Sequence, residues 1–160
     1  MTIKVGDRLP SATLYEMTES GPSAVSTDDL VKGRKVVLFS VPGAFTPTCS
    51  NAHLPGFVAH ADAIKARGVD TVACVAVNDA FVMGAWGEAQ SSGEKVRMLA
   101  DGSGDLAKAM DVELDLAAYG LGVRSARYSM ILDDGVVTAF NLEEGGAFEV
   151  SSAEKILEQL

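Results

Sequence analysis

Cysteine is scarce in this 160-residue chain, which carries only Cys49 and Cys74. Two thiols in a chain of this size do not make a disulfide-stapled scaffold. Histidine is equally scarce, with His53 and His60, and no Cys-x-x-Cys occurs, so a zinc site lacks ligands in a suitable order. Long apolar runs are missing too. The longest candidate, Val69 to Val77, is interrupted by Asp70 and Thr71 and reads as a buried strand rather than a membrane span. Basic residues number 13 against 22 acidic ones, and the net charge of −9 is spread without a basic cluster. That argues against nucleic acid and membranes as partners and favours solubility. The opening residues Met1-Thr2-Ile3-Lys4-Val5 form neither an apolar signal segment nor an Arg-rich amphipathic one, so the default location is cytoplasmic.

What is present is an ordinary globular composition, 48% hydrophobic and 22% charged, long enough for one domain spanning residues 1–160. Residues 1–34 read as mixed, with turns at Gly21-Pro22 and Lys32-Gly33 and a capped helical turn starting near Ser26. Lys35 to Val41 is a β-branched run stopped by Pro42-Gly43, and predicts a central strand. A helix is expected from about Cys49 to Arg67, with Phe57, Ala61 and Ile64 on one side and a kink or break at Pro55-Gly56. Strands follow at Val69–Val77 and Val96–Ala100, and helical segments at residues 79–92 and Leu106–Met110. Asp133-Asp134-Gly135 joins two strands, Tyr128–Leu132 and Val136–Asn141, as a hairpin. An amphipathic helix covers Ser152–Leu160. The pattern is α/β, a central mixed β-sheet flanked by helices.

The two cysteines keep different company. Cys74 sits inside Val-Ala-Cys-Val-Ala-Val, a core-strand setting that favours a structural role. Cys49 follows Val41-Pro42-Gly43-Ala44-Phe45-Thr46-Pro47-Thr48, where a strand ends, the chain turns and a helix begins at Pro47 or Thr48. Unpaired amides and the helix dipole favour an anion there, and thiolates at such positions are stabilised. Thr46 lies within reach of the sulfur, and Pro42 and Pro47 stiffen the loop. Arg124 reads first as a solvated surface charge, with a contribution to the site as the second reading. Trp86 reads as core or interface packing, and Phe45 and Phe81 as walls of the site or of a dimer contact.

The run Pro42-Gly43-Ala44-Phe45-Thr46-Pro47-Thr48-Cys49-Ser50, followed by His53-Leu54-Pro55-Gly56-Phe57, resembles the active-site signature of type II (atypical) peroxiredoxins. Val77-Asn78-Asp79-Ala80-Phe81-Val82, Trp86-Gly87 and Arg127-Tyr128-Ser129-Met130 extend the resemblance over roughly Val5 to Asn141. It implies a thioredoxin-like fold and a thiol peroxidase that reduces hydrogen peroxide and organic hydroperoxides. Cys49 falls on the peroxidatic cysteine, Thr46 on the active-site threonine, Pro42 on the proline and Arg127 on the distant arginine. No cofactor is implied. Some relatives carry a resolving cysteine near the C-terminus, but Ala147-Phe148-Glu149-Val150-Ser151-Ser152 has no thiol. The resemblance therefore implies a one-cysteine cycle recycled by glutathione, glutaredoxin or thioredoxin, and a homodimer joined through the active-site edge.

Other readings are weaker. A thiol–disulfide oxidoreductase would want a second cysteine three residues from Cys49, where Thr46 and Ala52 stand. A metal site of Cys49, His53 and His60 is interrupted by Pro55-Gly56. A cysteine hydrolase lacks a histidine with a recognisable orienting partner. A peroxide-sensing module without turnover shares the first chemical step and is separated by measuring turnover with excess reductant.

Overall fold

The computed structural model describes residues 1–160. The apolar run of residues 35–41 becomes β3 (Lys35–Ser40), with Val36 through Ser40 all buried because both faces of the strand are covered. Its partners are β4 (Thr71–Ala76), parallel to it, and β8 (Tyr128–Asp133), antiparallel. β5 (Arg97–Ala100) runs parallel to β4 on the other side. The parallel steps require crossovers, which are α2 (Leu54–Ala66) and α3 (Ala80–Ala89). β9 (Val136–Leu142) closes the expected hairpin with β8, and Asp134 and Gly135 both take positive φ, as a two-residue turn demands.

One hairpin was not legible. β1 (Thr13–Thr18) and β2 (Gly21–Ser26) pair in the segment read as mixed, and complete a seven-stranded sheet ordered β2-β1-β5-β4-β3-β8-β9. Only Leu14 of these strands is buried, so the apolar alternation that reveals a strand is missing. α1 (Thr27–Val31) follows, with the Ser26 side chain accepting from the Asp29 amide. α4 (Asp105–Met110) and a second, short antiparallel pair, β6 (Glu113–Asp115) and β7 (Val123–Ser125), lead into β8. α5 (Ala153–Gln159) is capped by Ser152, close to the expected bounds.

Side chains alternate across the sheet. Val37, Phe39 and Cys74 meet Leu54, Phe57, Met83, Trp86 and Ile156 from α2, α3 and α5. Val36, Leu38 and Val75 meet Leu30, Leu106 and Met110 from α1 and α4. These two layers make the core, and no helix is long and apolar enough to cross a membrane.

The break expected at Pro55-Gly56 does not occur. α2 runs through both residues, and Pro55 follows helical turns that begin at Pro47, so its missing N–H leaves a carbonyl of the preceding turn without that donor. The irregularity sits one turn earlier, as a π-helical turn over Cys49–His53 in which the Leu54 amide donates to the Cys49 carbonyl. The wider turn is compatible with a proline ring that would otherwise crowd the preceding carbonyls.

Candidate active site

Helical structure begins at Pro47, directly after the loop that leaves β3, and Cys49 opens the π-helical turn. The Thr48 and Cys49 amides find no backbone acceptor, as expected at a helix start, while the Ser50 amide donates to Thr46 O at 2.9 Å. The loop is tied down from both sides. The Ala44 amide donates to Asn78 Oδ1 at 3.0 Å, and Arg124 Nη1 donates to Pro42 O at 3.2 Å. Gly43 lets Arg124 come close: a Cβ there would lie 2.9 Å from Arg124 Nη1 and 3.1 Å from Thr46 Cγ2. Phe45 adopts φ 65°, a strained value for an aromatic residue, and is more than half exposed.

Arg124 is thus a correction to its first reading. The second of its two readings holds: it is partly buried rather than a solvated surface charge, with Nε donating to Leu121 O at 2.8 Å and Nη1 bracing the loop. Its sequence gave no sign of this, because the carbonyl it reaches is 82 positions away.

Cys49 is fully buried, and Arg127 Nη2 approaches its Sγ at 3.2 Å. Arg127 lies just before β8, itself buried, with its guanidinium carbon 5.7 Å from the centre of the Phe148 ring. No carboxylate pairs with it, and its Nε has no hydrogen-bond partner. What orients it is His53, whose Nδ1 accepts from Arg127 Nη1 at 2.8 Å while Nε2 faces Ser151 O at 2.9 Å. A carbonyl can only accept, so the proton sits on Nε2, and Nδ1 keeps its lone pair for the guanidinium. Burial first, and then the Arg127 charge, lower the His53 pKa to about 3, against the pull of its bond to Ser151. The ring is therefore neutral at ordinary pH. Both ring nitrogens are committed to protein partners, and His60 pairs instead with Glu154 at 3.1 Å.

Thr46 Oγ1 donates to Gly43 O at 2.7 Å, which spends its proton and leaves its lone pairs as acceptors beside the sulfur-bearing turn. Thus the structure brings Cys49, Arg127, Thr46 and Pro42 to one end of β3. It adds His53, which the sequence offered as part of a motif and as a disfavoured metal ligand, not as the partner of Arg127.

The Redoxin family model matches residues 4–157. Peroxiredoxin-2E-2, chloroplastic, of Oryza sativa is 54% identical over 99% of this chain and 73% of its own length. Peroxiredoxin-2C of the same plant is 50% identical over 99% of this chain and 98% of its own. This chain belongs to the peroxiredoxin family. Among solved structures, reduced Prx3 of Vibrio vulnificus in complex with hydrogen peroxide superposes with a TM-score of 0.95 at 54% identity, covering 99% of each chain. The fold of this peroxiredoxin is thioredoxin-like, and the protein is a thiol-dependent peroxidase of the type II kind.

The peroxiredoxin's aromatic residues fall into a buried and an exposed group, with Trp86 taking the core alternative expected of it. Trp86 is fully buried, with Nε1 donating to Ser50 Oγ at 3.0 Å, so it packs in the core and offers no interface. Phe45 and Phe81 are exposed, at 55% and 66%.

Proposed function

We propose that Cys49 is the peroxidatic nucleophile. The thiolate attacks one oxygen of a hydroperoxide, the S–O bond forms as the O–O bond breaks, and the other oxygen departs as an alkoxide or hydroxide that takes up a proton. Cys49 is left as a sulfenic acid. The approach of Arg127 Nη2 to the sulfur at 3.2 Å carries this reading, because a fixed, unneutralised cation favours both the thiolate and the developing oxyanion. Thr46 accepts from the peroxide hydroxyl through its free lone pairs. The Thr48 and Cys49 amides supply further donors, and Pro42 narrows and stiffens the entrance, its carbonyl held by Arg124.

Recycling requires an external thiol, since residues 147–152 contain no cysteine. That thiol attacks the sulfenic sulfur and releases water, and a second thiol frees Cys49 as it takes the disulfide. Glutathione, glutaredoxin or thioredoxin fits this role. Residues 1–160 act as one domain, as a homodimer joined near Phe45 and Phe81 at the active-site edge, and in the cytoplasm.

Brief treatment with stoichiometric hydrogen peroxide, followed by mass analysis of the cysteine peptides, tests the reading. One oxygen on the Cys49 peptide, discharged by glutathione, is the expected result. A Cys49–Cys74 cross-linked peptide would make Cys74 the resolving thiol. A Cys49 oxidised no faster than a free thiol would overturn the assignment.

A further inference from the structure

Glu143 is a buried carboxylate that the proposed chemistry does not use. Its Oε2 accepts four hydrogen bonds, from the amides of Glu149 and Val150 at 2.8 Å, the amide of Ser151 at 2.9 Å and the Ser151 hydroxyl at 2.7 Å. Burial alone would raise its pKa. The Ser151 hydroxyl and the three amides outweigh burial and leave it below the ordinary carboxylate range. The charge faces no cation; it is a folding centre for the return from β9 to α5.

That return ends on Ser151, whose carbonyl sets the tautomer of His53. His53 in turn is the acceptor that aims Arg127, and the second terminal nitrogen of Arg127 then reaches Cys49. The same segment supplies Phe148, whose ring lies 4.9 Å from His53 and beneath the guanidinium. We infer that Glu143 is a positioning residue for the reaction at Cys49, acting through Ser151 and His53 on Arg127.

The arrangement answers a conflict in the site. An arginine is most firmly oriented by a carboxylate, but a carboxylate in direct contact would neutralise the charge that the sulfur needs. Here a neutral imidazole makes the direct contact, and the carboxylate stands one step back, fixing the imidazole through backbone. Second-layer partners commonly set histidine orientation in this way at metal sites.

The inference rests on the peroxidase reading of Cys49, so its test has two readouts. Stopped-flow fluorescence of Trp86, which touches Ser50 beside the nucleophile, follows oxidation by hydrogen peroxide. Nitrogen-15 spectra of labelled histidine report the tautomer, with His60→Gln assigning the two rings. Wild type should show His53 protonated on Nε2. Glu143→Ala should mix the tautomers and slow oxidation by about ten- to a hundredfold, the scale of a small misplacement at a reacting centre. His53→Ala should slow it comparably, and the double variant should be no slower than His53→Ala alone. Glu143→Gln keeps an oxygen acceptor without the charge and should fall between wild type and Glu143→Ala. It also carries the test if the alanine variant does not fold. A wild-type rate and tautomer in either Glu143 variant, or a double variant slowed by the product of the single effects, would overturn the inference. If wild-type Cys49 reacts no faster than a free thiol, the peroxidase reading fails, while the tautomer still decides the part played by Glu143.

Discussion

Cys49 and Cys74 are both fully buried, both unpaired and both part of the same apolar layer. They differ in polar company. Cys49 starts a helix, has amides without backbone acceptors around it, and meets a guanidinium at 3.2 Å. Cys74 sits mid-strand opposite Phe39 and Met98. Its thiol is pushed well above the ordinary value, by burial first and by the neighbouring Cys49 second, with Arg127 too weak to offset them. If Cys49 is the nucleophile as proposed, burial does not decide whether a thiol is reactive. The decision lies with the donors and charges that the surrounding backbone brings into the same dry space.

The sharpest break of this contrast is Cys49→Ser, which should abolish turnover in a coupled peroxidase assay while the fold, by circular dichroism, is retained. Next in size is Arg127→Gln. Removing the charged donor should slow peroxide reduction by about a hundred- to a thousandfold, as losses of a transition-state donor do. Arg127→Lys, with charge but without the second donor arm, should recover part of this.

A third test uses acid. With His53 held at about 3 rather than its ordinary 6.5, the unfolded chain binds a proton between those values that the folded chain refuses. Its contribution to stability is then full above pH 6.5 and shrinks as pH falls toward 3, by about 1.4 kcal/mol per pH unit. Urea midpoints at pH 7.5 and 4.5 should show this as a loss of about 2–3 kcal/mol that is missing from His53→Ala. Equal acid losses in the two proteins would remove His53 from the account.

Smaller again is Gly43→Ala, whose new methyl displaces Arg124 from the Pro42 carbonyl. The far end of arginine moves easily, so stability should change little while the oxidation rate falls severalfold. Last comes Cys74→Ser, which should leave glutathione-supported turnover within about twofold but lower stability by about 1–3 kcal/mol, the cost of a hydroxyl without a partner in an apolar layer. A large loss of turnover in this variant would dissolve the contrast between the two thiols.

The sequence revealed the parts of the molecule that are written locally. β3, β4 and α2 are marked by apolar runs and helical spacing. The loop that carries Cys49 is a contiguous motif whose glycine, threonine and prolines each have a local reason to be there. The hairpin of β1 and β2 was hidden because its strands bury almost nothing, and β6 and β7 because three residues leave no period to detect. The supports of the site were hidden for a different reason. His53 and Arg127 meet across 74 positions, and His53 and Ser151 across 98, so only the register of the sheet reveals that they belong together. Glu143 was invisible because a carboxylate followed by Glu144, Gly145 and Gly146 looks like any solvated turn.

Finally, the ends of the sheet bear on how copies of this protein can meet. β2, at one edge, carries Pro22, which has no amide proton to offer a neighbouring strand. β9, at the other, is bent by the extra residue Thr138, and its outer side is already taken at Val137 by Gly6 and Asp7. Ribbon-to-ribbon growth of the sheet, the route to insoluble fibres, is thus interrupted at one position on each margin.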